Sequence, residues 1–319
     1  MMKIQITNNE YERLLEEHWK WFDDYINKRE KRLANKNPEE KLIINDILKE
    51  LALEKYDDLE LIIKATREDC LEYINKLGIK ETQISNKIYD FFCYENWLNK
   101  DHVGWNAYEY IQKLGIKVCP YCNRNNIDYS EMGKKITRSP LDHFFPKKKY
   151  PYLSCTLSNL IPCCHTCNSA KSNESTYDTK IIYPYQEEFG EDGKFMLMDS
   201  GKEFDKKAQD IKKEITKNFS VKIESKGFLK ENIDNSASIF NLCTLYSQER
   251  DLISGLLEKI DMCTEFFDRT YLLNKDKKIC FKLLFNLPKD NNQILKYQKI
   301  TMDIIEHCRP DLKKYFSTL

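Results

Sequence analysis

Between residues 7 and 114 the apolar positions return every three or four residues, as in Leu14, Leu15, Trp19, Phe22 and Ile26 and again in Ile43, Ile44, Ile47, Leu48 and Leu51. That is the period of a helix with one face turned inward, so this stretch predicts an all-helical region. Asn37-Pro38 separates the first two helices. Gly78 and Gly115 each follow a run of helix formers, where glycine supplies a left-handed stop. Residues 71–80 and 108–117 agree at eight of ten positions. Two helices that end alike explain this more simply than an internal repeat does.

After Gly115 the texture changes to Cys, Pro, Asn, Tyr and Lys with short β-like runs, and it changes back near Tyr183-Pro184-Tyr185. Beyond that point Phe195-Met-Leu-Met198 and Phe219-Ser-Val-Lys-Ile223 read as two strands around a charged stretch. Helices follow, in which Leu252, Ile253, Leu256, Leu257 and Ile260 share a face. The organisation expected is an α+β, mainly helical chain with an N-terminal helical region (1–117), a central module (118–182) and a C-terminal α+β and helical region (183–319).

Composition narrows the class. A chain of 319 residues, 41% hydrophobic and 32% charged with nine Gly and nine Pro, has the make-up of a folded helix-rich protein of two or three compact units. No run approaches the ~18 to 20 apolar residues that span a bilayer, and the first residues lack an apolar secretory core. The expectation is a cytoplasmic protein with no membrane partner. Basic and acidic residues balance at 51 each, so net charge is silent about polyanionic partners. Between residues 116 and 185, however, ten basic residues stand against five acidic ones, which leaves the rest of the chain acidic.

Twelve cysteines in a reducing compartment are read for metal spacing before disulfides. Cys119-Pro-Tyr-Cys122 and Cys164-His-Thr-Cys167 are two knuckles whose two-residue gaps let one tight turn aim both thiolates at a tetrahedral zinc. Cys163 or His165, each beside the second knuckle, is an alternative ligand. Four thiolates leave no open position, so this zinc is expected to be structural. The remaining eight cysteines read as small buried hydrophobes. Two pairs bracketing an insert also argue against a thiol redox protein, which needs one reactive pair in a βα context.

Within the insert lie Pro140-Leu-Asp-His-Phe-Phe-Pro-Lys147 and Leu157-Ser-Asn-Leu-Ile-Pro162, the second running on to Asn168-Ser-Ala-Lys171. An isolated Asp-His dipeptide is usually a turn or helix start, and a lone Asn before an apolar run is usually a cap. Here the Asp-His pair, an Asn sixteen residues after the His, and a knuckle followed at once by Asn nine residues further resemble the ββα-metal fold of HNH endonucleases in their four-cysteine form. The likeness covers residues 118–173. The phrases around His143 and Asn159 are also similar to the HNH subunits of bacterial anti-phage systems that work beside an ATPase, such as Septu.

The resemblance implies a metal-dependent endonuclease that hydrolyses phosphodiester bonds of nucleic acid, DNA foremost, with a role in antiviral defence. Such chemistry needs a base, a divalent ion and in-line positioning. His143 suits the base, because an imidazole is largely neutral near pH 7. By the same likeness Asp142 and Asn168 are the ligands of a catalytic Mg2+ or Mn2+, the amide at the last position favouring a lightly held Mg2+. Asn159 holds the hairpin and the histidine in place, and Lys171 contacts phosphate. Lys147, Lys148 and Lys149, directly after the base, are expected to grip the nucleic-acid backbone; Arg124 and Arg138 have weaker claims. The isolated His18, His102 and His307 read as core or surface residues. The acidic flanks carry no recognised catalytic set and are expected to dock an ATPase partner subunit or a second copy of the chain. The competing reading is a non-catalytic zinc-knuckle module that binds nucleic acid or protein. Its signature, loss of Asp142, His143 or Asn168, is absent.

Overall fold

The computed structural model describes residues 1–34, 42–80, 82–98, 104–132, 135–199, 201–203, 219–269, 274–288 and 294–316. Over these residues the chain is mainly helical with three small antiparallel sheets, an α+β composition. Its first part contains α1 (Asn8–Ala34), α2 (Leu42–Glu50), α3 (Leu59–Ile63), α4 (Arg67–Leu77), α5 (Thr82–Phe92), α6 (Tyr94–Leu98) and α7 (Ala107–Leu114). The apolar period has the expected consequence: Leu14, Phe22 and Ile26 of α1 and Ile47, Leu48 and Leu51 at α2 are buried. Asn37-Pro38 lies outside the described residues, as does His102. The two glycine stops are in place, with Gly78 and Gly115 at φ +64° and +65° directly after α4 and α7. Sequence capping agrees at the other ends, where Thr66 and Asp69 form a reciprocal capping box for α4 and the Asn106 side chain accepts two amides of α7.

The middle of the chain carries β1 (Tyr129–Met132) paired with β2 (Lys135–Arg138), then β3 (Leu141–His143) paired antiparallel with β4 (Leu160–Pro162), then α8 (His165–Lys171). The segment joining β3 to β4 is not a solvent loop. Its two 3-10 turns, Pro151–Leu153 and Leu157–Asn159, are entirely buried. Four side-chain bonds fasten this segment to the N-terminal helices. Tyr152 Oη donates to the Gly78 carbonyl at 3.0 Å, Cys155 Sγ to Phe92 at 2.7 Å, Thr156 Oγ1 to Ile62 at 2.8 Å and Ser158 Oγ to Ala65 at 2.6 Å. Each reaches a carbonyl at or near a helix end, where carbonyls lack their full set of intrahelical partners.

In the C-terminal part, β5 (Gly193–Asp199) pairs with both β6 (Lys202–Glu203) and β7 (Phe219–Ser225). The expected strands are therefore partners, in a register that sets Phe195 against Ile223 and Leu197 against Val221 on one buried face. Then follow α9 (Lys230–Ile239), α10 (Leu242–Ser247), α11 (Arg250–Arg269), α12 (Asn274–Leu284) and α13 (Gln298–Cys308). Ile253, Leu256, Leu257 and Ile260 of α11 are buried as their spacing predicts. Buried residues from all three parts, among them Phe22, Trp97, Phe144, Tyr152, Phe195 and Tyr246, join one cluster that crosses the expected boundaries near residues 117 and 182. No helix among the described residues is long and apolar enough to cross a membrane.

Candidate functional site

The two knuckles converge. The Sγ atoms of Cys119, Cys122, Cys164 and Cys167 lie within 4.8 Å of one another, and all four residues are buried. A zinc tetrahedron with bonds of ~2.3 Å has sulfur–sulfur edges of roughly 3.8 Å, and Cys122 and Cys164 are 3.9 Å apart. Thiolate charge has donors waiting for it: the backbone N–H groups of Arg124 and Cys164 point at Cys122 and Cys119, each at 3.4 Å, and Asn125 Nδ2 at Cys164, at 3.3 Å. This donor set fits a metal ion such as zinc. Cys163 is not part of it; its thiol faces Asn168 Oδ1 at 3.9 Å, and His165 is exposed. The Cys164 side chain also caps α8 by accepting from the Cys167 amide, so the cluster fixes where that helix begins.

Asp142 and His143 end β3, beside β4 and ahead of α8, and with Asn168 they line a cavity of about 430 Å3. His143 Nε2 lies 3.0 Å from the Ser154 carbonyl. A carbonyl only accepts, so Nε2 carries the proton and Nδ1 keeps its lone pair. Burial, reinforced by the Lys147 charge, holds the imidazole down to about 3, so it is neutral at physiological pH. Asn159 binds the segment that follows His143. Its Oδ1 accepts from the Phe145 amide at 2.6 Å, and its Nδ2 donates to the carbonyls of Phe145 at 3.1 Å and Leu153 at 2.9 Å.

The lysines depart from expectation. Lys171 is 0% exposed, with Nζ donating to Asp142 Oδ1 at 3.0 Å and to the His143 carbonyl at 2.7 Å. It cannot reach phosphate. The reason is helical phase: three residues after Asn168 it points from α8 into the sheet, where it neutralises a buried carboxylate. Lys147 lines the cavity, yet its ammonium donates to Tyr89 Oη at 2.7 Å and lies over the rings of Tyr89 and Tyr94. Lys149 pairs with Asp178 at 3.5 Å. Lys148 alone of the three is exposed and has no ion-pair partner among the described residues. Arg124 is ion-paired to Glu249. His18 is a core residue as expected, with Nε2 on the Cys155 carbonyl at 2.6 Å and Nδ1 accepting from the Trp105 indole at 2.9 Å.

Two neighbours of the site, Tyr121 and Tyr94, escaped sequence reasoning, while Arg138 had only a weaker claim from it. Tyr121, inside the first knuckle, donates to Asp142 Oδ2 at 2.8 Å and stacks on Phe240 of the C-terminal part at 4.4 Å. Tyr94 packs its ring edge-on to His143, centroids 4.5 Å apart. Arg138 lines the cavity with Tyr94. Of the two tyrosines, only the one between two metal-spaced cysteines carried any sequence signal. Tyr94 comes from α6, so the N-terminal helical part builds a wall of the cavity. No protein-family model matches the chain, and no curated protein or solved structure matches it significantly.

Proposed function

We propose that the chain is a metal-dependent phosphodiesterase of the HNH kind, an endonuclease acting on nucleic acid, with His143 as its base. The observation that carries this reading is the neutral His143, whose Nε2 is tied to a backbone carbonyl while Nδ1 is left as an acceptor, in a cavity that also presents Asp142 and Asn168. A neutral imidazole held in one tautomer is what proton abstraction from water requires. Asp142 and Asn168 offer the hard oxygen donors that Mg2+ or Mn2+ takes alongside its own waters. Each Asp142 oxygen accepts one bond, from Lys171 or Tyr121, and retains lone pairs for a cation. When bound there, such an ion would stabilise charge on the phosphate and the leaving oxygen. The protein's own part is to hold His143 by Ser154 and Asn159, to orient Asp142 by Lys171 and Tyr121, and to keep the base largely out of bulk water.

The test incubates the purified full chain with supercoiled plasmid, single-stranded DNA and RNA in Mg2+, Mn2+ or EDTA. Cleavage that EDTA stops and His143→Ala reduces by roughly 10² to 10⁴-fold is expected, with metal content at the cysteine cluster and the fold unchanged. Asp142→Ala and Asn168→Ala should cut poorly but recover in part at higher Mg2+. Equal cleavage by His143→Ala and the parent would reject the assignment. One feature favours the non-catalytic alternative, since the buried Asp142–Lys171 pair is charge-balanced with no second metal. Under that reading the parent binds nucleic acid or protein and cuts none of the three substrates.

A further inference from the structure

Tyr94 is 4% exposed, lines the cavity, and has no hydrogen-bond partner for its hydroxyl among the described residues. Burial raises this phenol well above its ordinary value, so it stays a protonated donor across the physiological range. Across the same cavity stands Arg138, the last residue of β2. Its guanidinium is positioned over the Tyr108 ring at 5.3 Å and by an Nη1 bond to the Ser139 carbonyl at 3.1 Å. Its Nε is buried with no partner among the described residues, and no carboxylate lies within ion-pair distance among them. A buried guanidinium nitrogen left without a partner is unusual in a folded protein, where nearly all buried polar groups are paired. The other charges facing Tyr94 and Arg138 are matched already, Lys147 by Glu95 at 3.2 Å and Asp142 by Lys171 at 3.0 Å.

We infer that Tyr94 Oη and the Arg138 guanidinium are the donors that receive the non-bridging oxygens of a phosphodiester, so that the N-terminal helical part supplies one side of the substrate-binding site. A tetrahedral oxyanion is the ligand class that answers a phenol and a guanidinium converging on one small cavity, because it accepts from both while its charge offsets the arginine. The inference rests on the reading of the cavity as a phosphodiester-cleaving site. It adds that recognition is shared between the segment around β3 and a tyrosine from α6.

The experiment compares the full-length parent, Tyr94→Phe, Arg138→Gln, Arg138→Lys and His143→Ala. Cleavage is measured under single-turnover conditions, binding of a short fluorescent DNA duplex in EDTA, and binding of inorganic phosphate by calorimetry. Melting temperature and metal content control for folding, and Tyr94→Phe keeps the ring against His143. Tyr94→Phe and Arg138→Gln are each expected to lower kcat/KM roughly ten- to a hundredfold and to weaken phosphate binding, with Arg138→Lys recovering part of both. His143→Ala should lose cleavage yet bind duplex and phosphate like the parent. If the parent cuts and His143→Ala does not, while Tyr94→Phe and Arg138→Gln cut and bind unchanged, the inference is overturned and the nuclease reading stands. If nothing cuts but phosphate binding still depends on Tyr94 and Arg138, the nuclease reading fails and the oxyanion site remains. Phosphate binding that neither substitution alters, in a chain that does not cut, rejects both.

Discussion

His18 and His143 show how one residue type is fixed by what its ring nitrogens touch. Both direct Nε2 at a carbonyl, so both are Nε2–H tautomers, and long-range proton–nitrogen correlation spectra should report that form for each ring. Burial holds His18 down to about 4, whereas in the unfolded chain it titrates near ~6.5. The unfolded state therefore takes up a proton first as pH falls, and His18 makes the fold progressively less stable from about pH 6.5 down toward 4. Melting temperature should drop across that window while the His18 ring signal stays neutral at pH 5.5; a ring that titrates near 6.5 would contradict the buried geometry. Lys171 is bound by a different constraint. Replacing it by Met strands Asp142 as an unpaired buried charge, and the loss should be about 3 to 5 kcal/mol in chemical denaturation. Asp142→Asn in the same chain should restore much of it, because the double variant buries no net charge.

The ββα element owes its shape to groups outside its own strands. β3 and β4 pair over only three residues each, too short a ladder to persist without support. The support comes from Asn159 between the strands, from the thiolate cap of α8 and from the four-cysteine cluster. Metal removal should therefore unfold β3, β4 and α8 together, since structural zinc contributes ~10 to 16 kcal/mol in small domains. Cys119→Ser or Cys167→Ser should have the same effect, and metal analysis of folded protein should find about one zinc per cluster. A folded, metal-free protein would refute that account. Asn159→Ala leaves the Phe145 amide and carbonyl unpaired in a buried segment and removes one of the two donors to the Leu153 carbonyl, at ~1 to 3 kcal/mol for each unpaired group.

At the scale of the molecule, the central segment is clasped from both sides. The N-terminal helices receive the 150–158 segment through Gly78, Phe92, Ile62 and Ala65. On the other side, Asn123 of the first knuckle accepts from the Lys299 amide and donates to the Leu295 carbonyl, each at 3.0 Å, while Tyr246 Oη donates to the Cys122 carbonyl at 2.5 Å. A fragment of residues 116–185 loses all of these contacts and exposes much of its buried surface. It should be poorly folded by circular dichroism even with zinc present, and a well-dispersed amide spectrum from it would show that the clasps are dispensable. Under the proposed nuclease function, Lys148, exposed and unpaired among the described residues, is the lysine suited to backbone contact. Lys148→Ala should weaken DNA binding and reduce its salt dependence by about one ion, with the cleavage step at saturation unchanged.

What residue order alone determined is whatever depends on local period or fixed spacing. The helical faces of α1 and α11, the glycine stops after α4 and α7, the strands around Phe195 and Val221 and the four-cysteine cluster were legible because each needs only neighbours within a turn or a knuckle. The tertiary structure decided which side chains share a cavity and which are already engaged. Lys171 and Lys147 look in the sequence like free cations at a phosphate site, but one is buried against Asp142 and the other held by Tyr89 and Glu95. Tyr94 and Tyr121 look like ordinary core aromatics until α6 is laid against His143 and the first knuckle against Asp142. The physical reason is common to all four: a charge or hydroxyl is set by partners tens of residues away in the chain, and no local pattern encodes those distances.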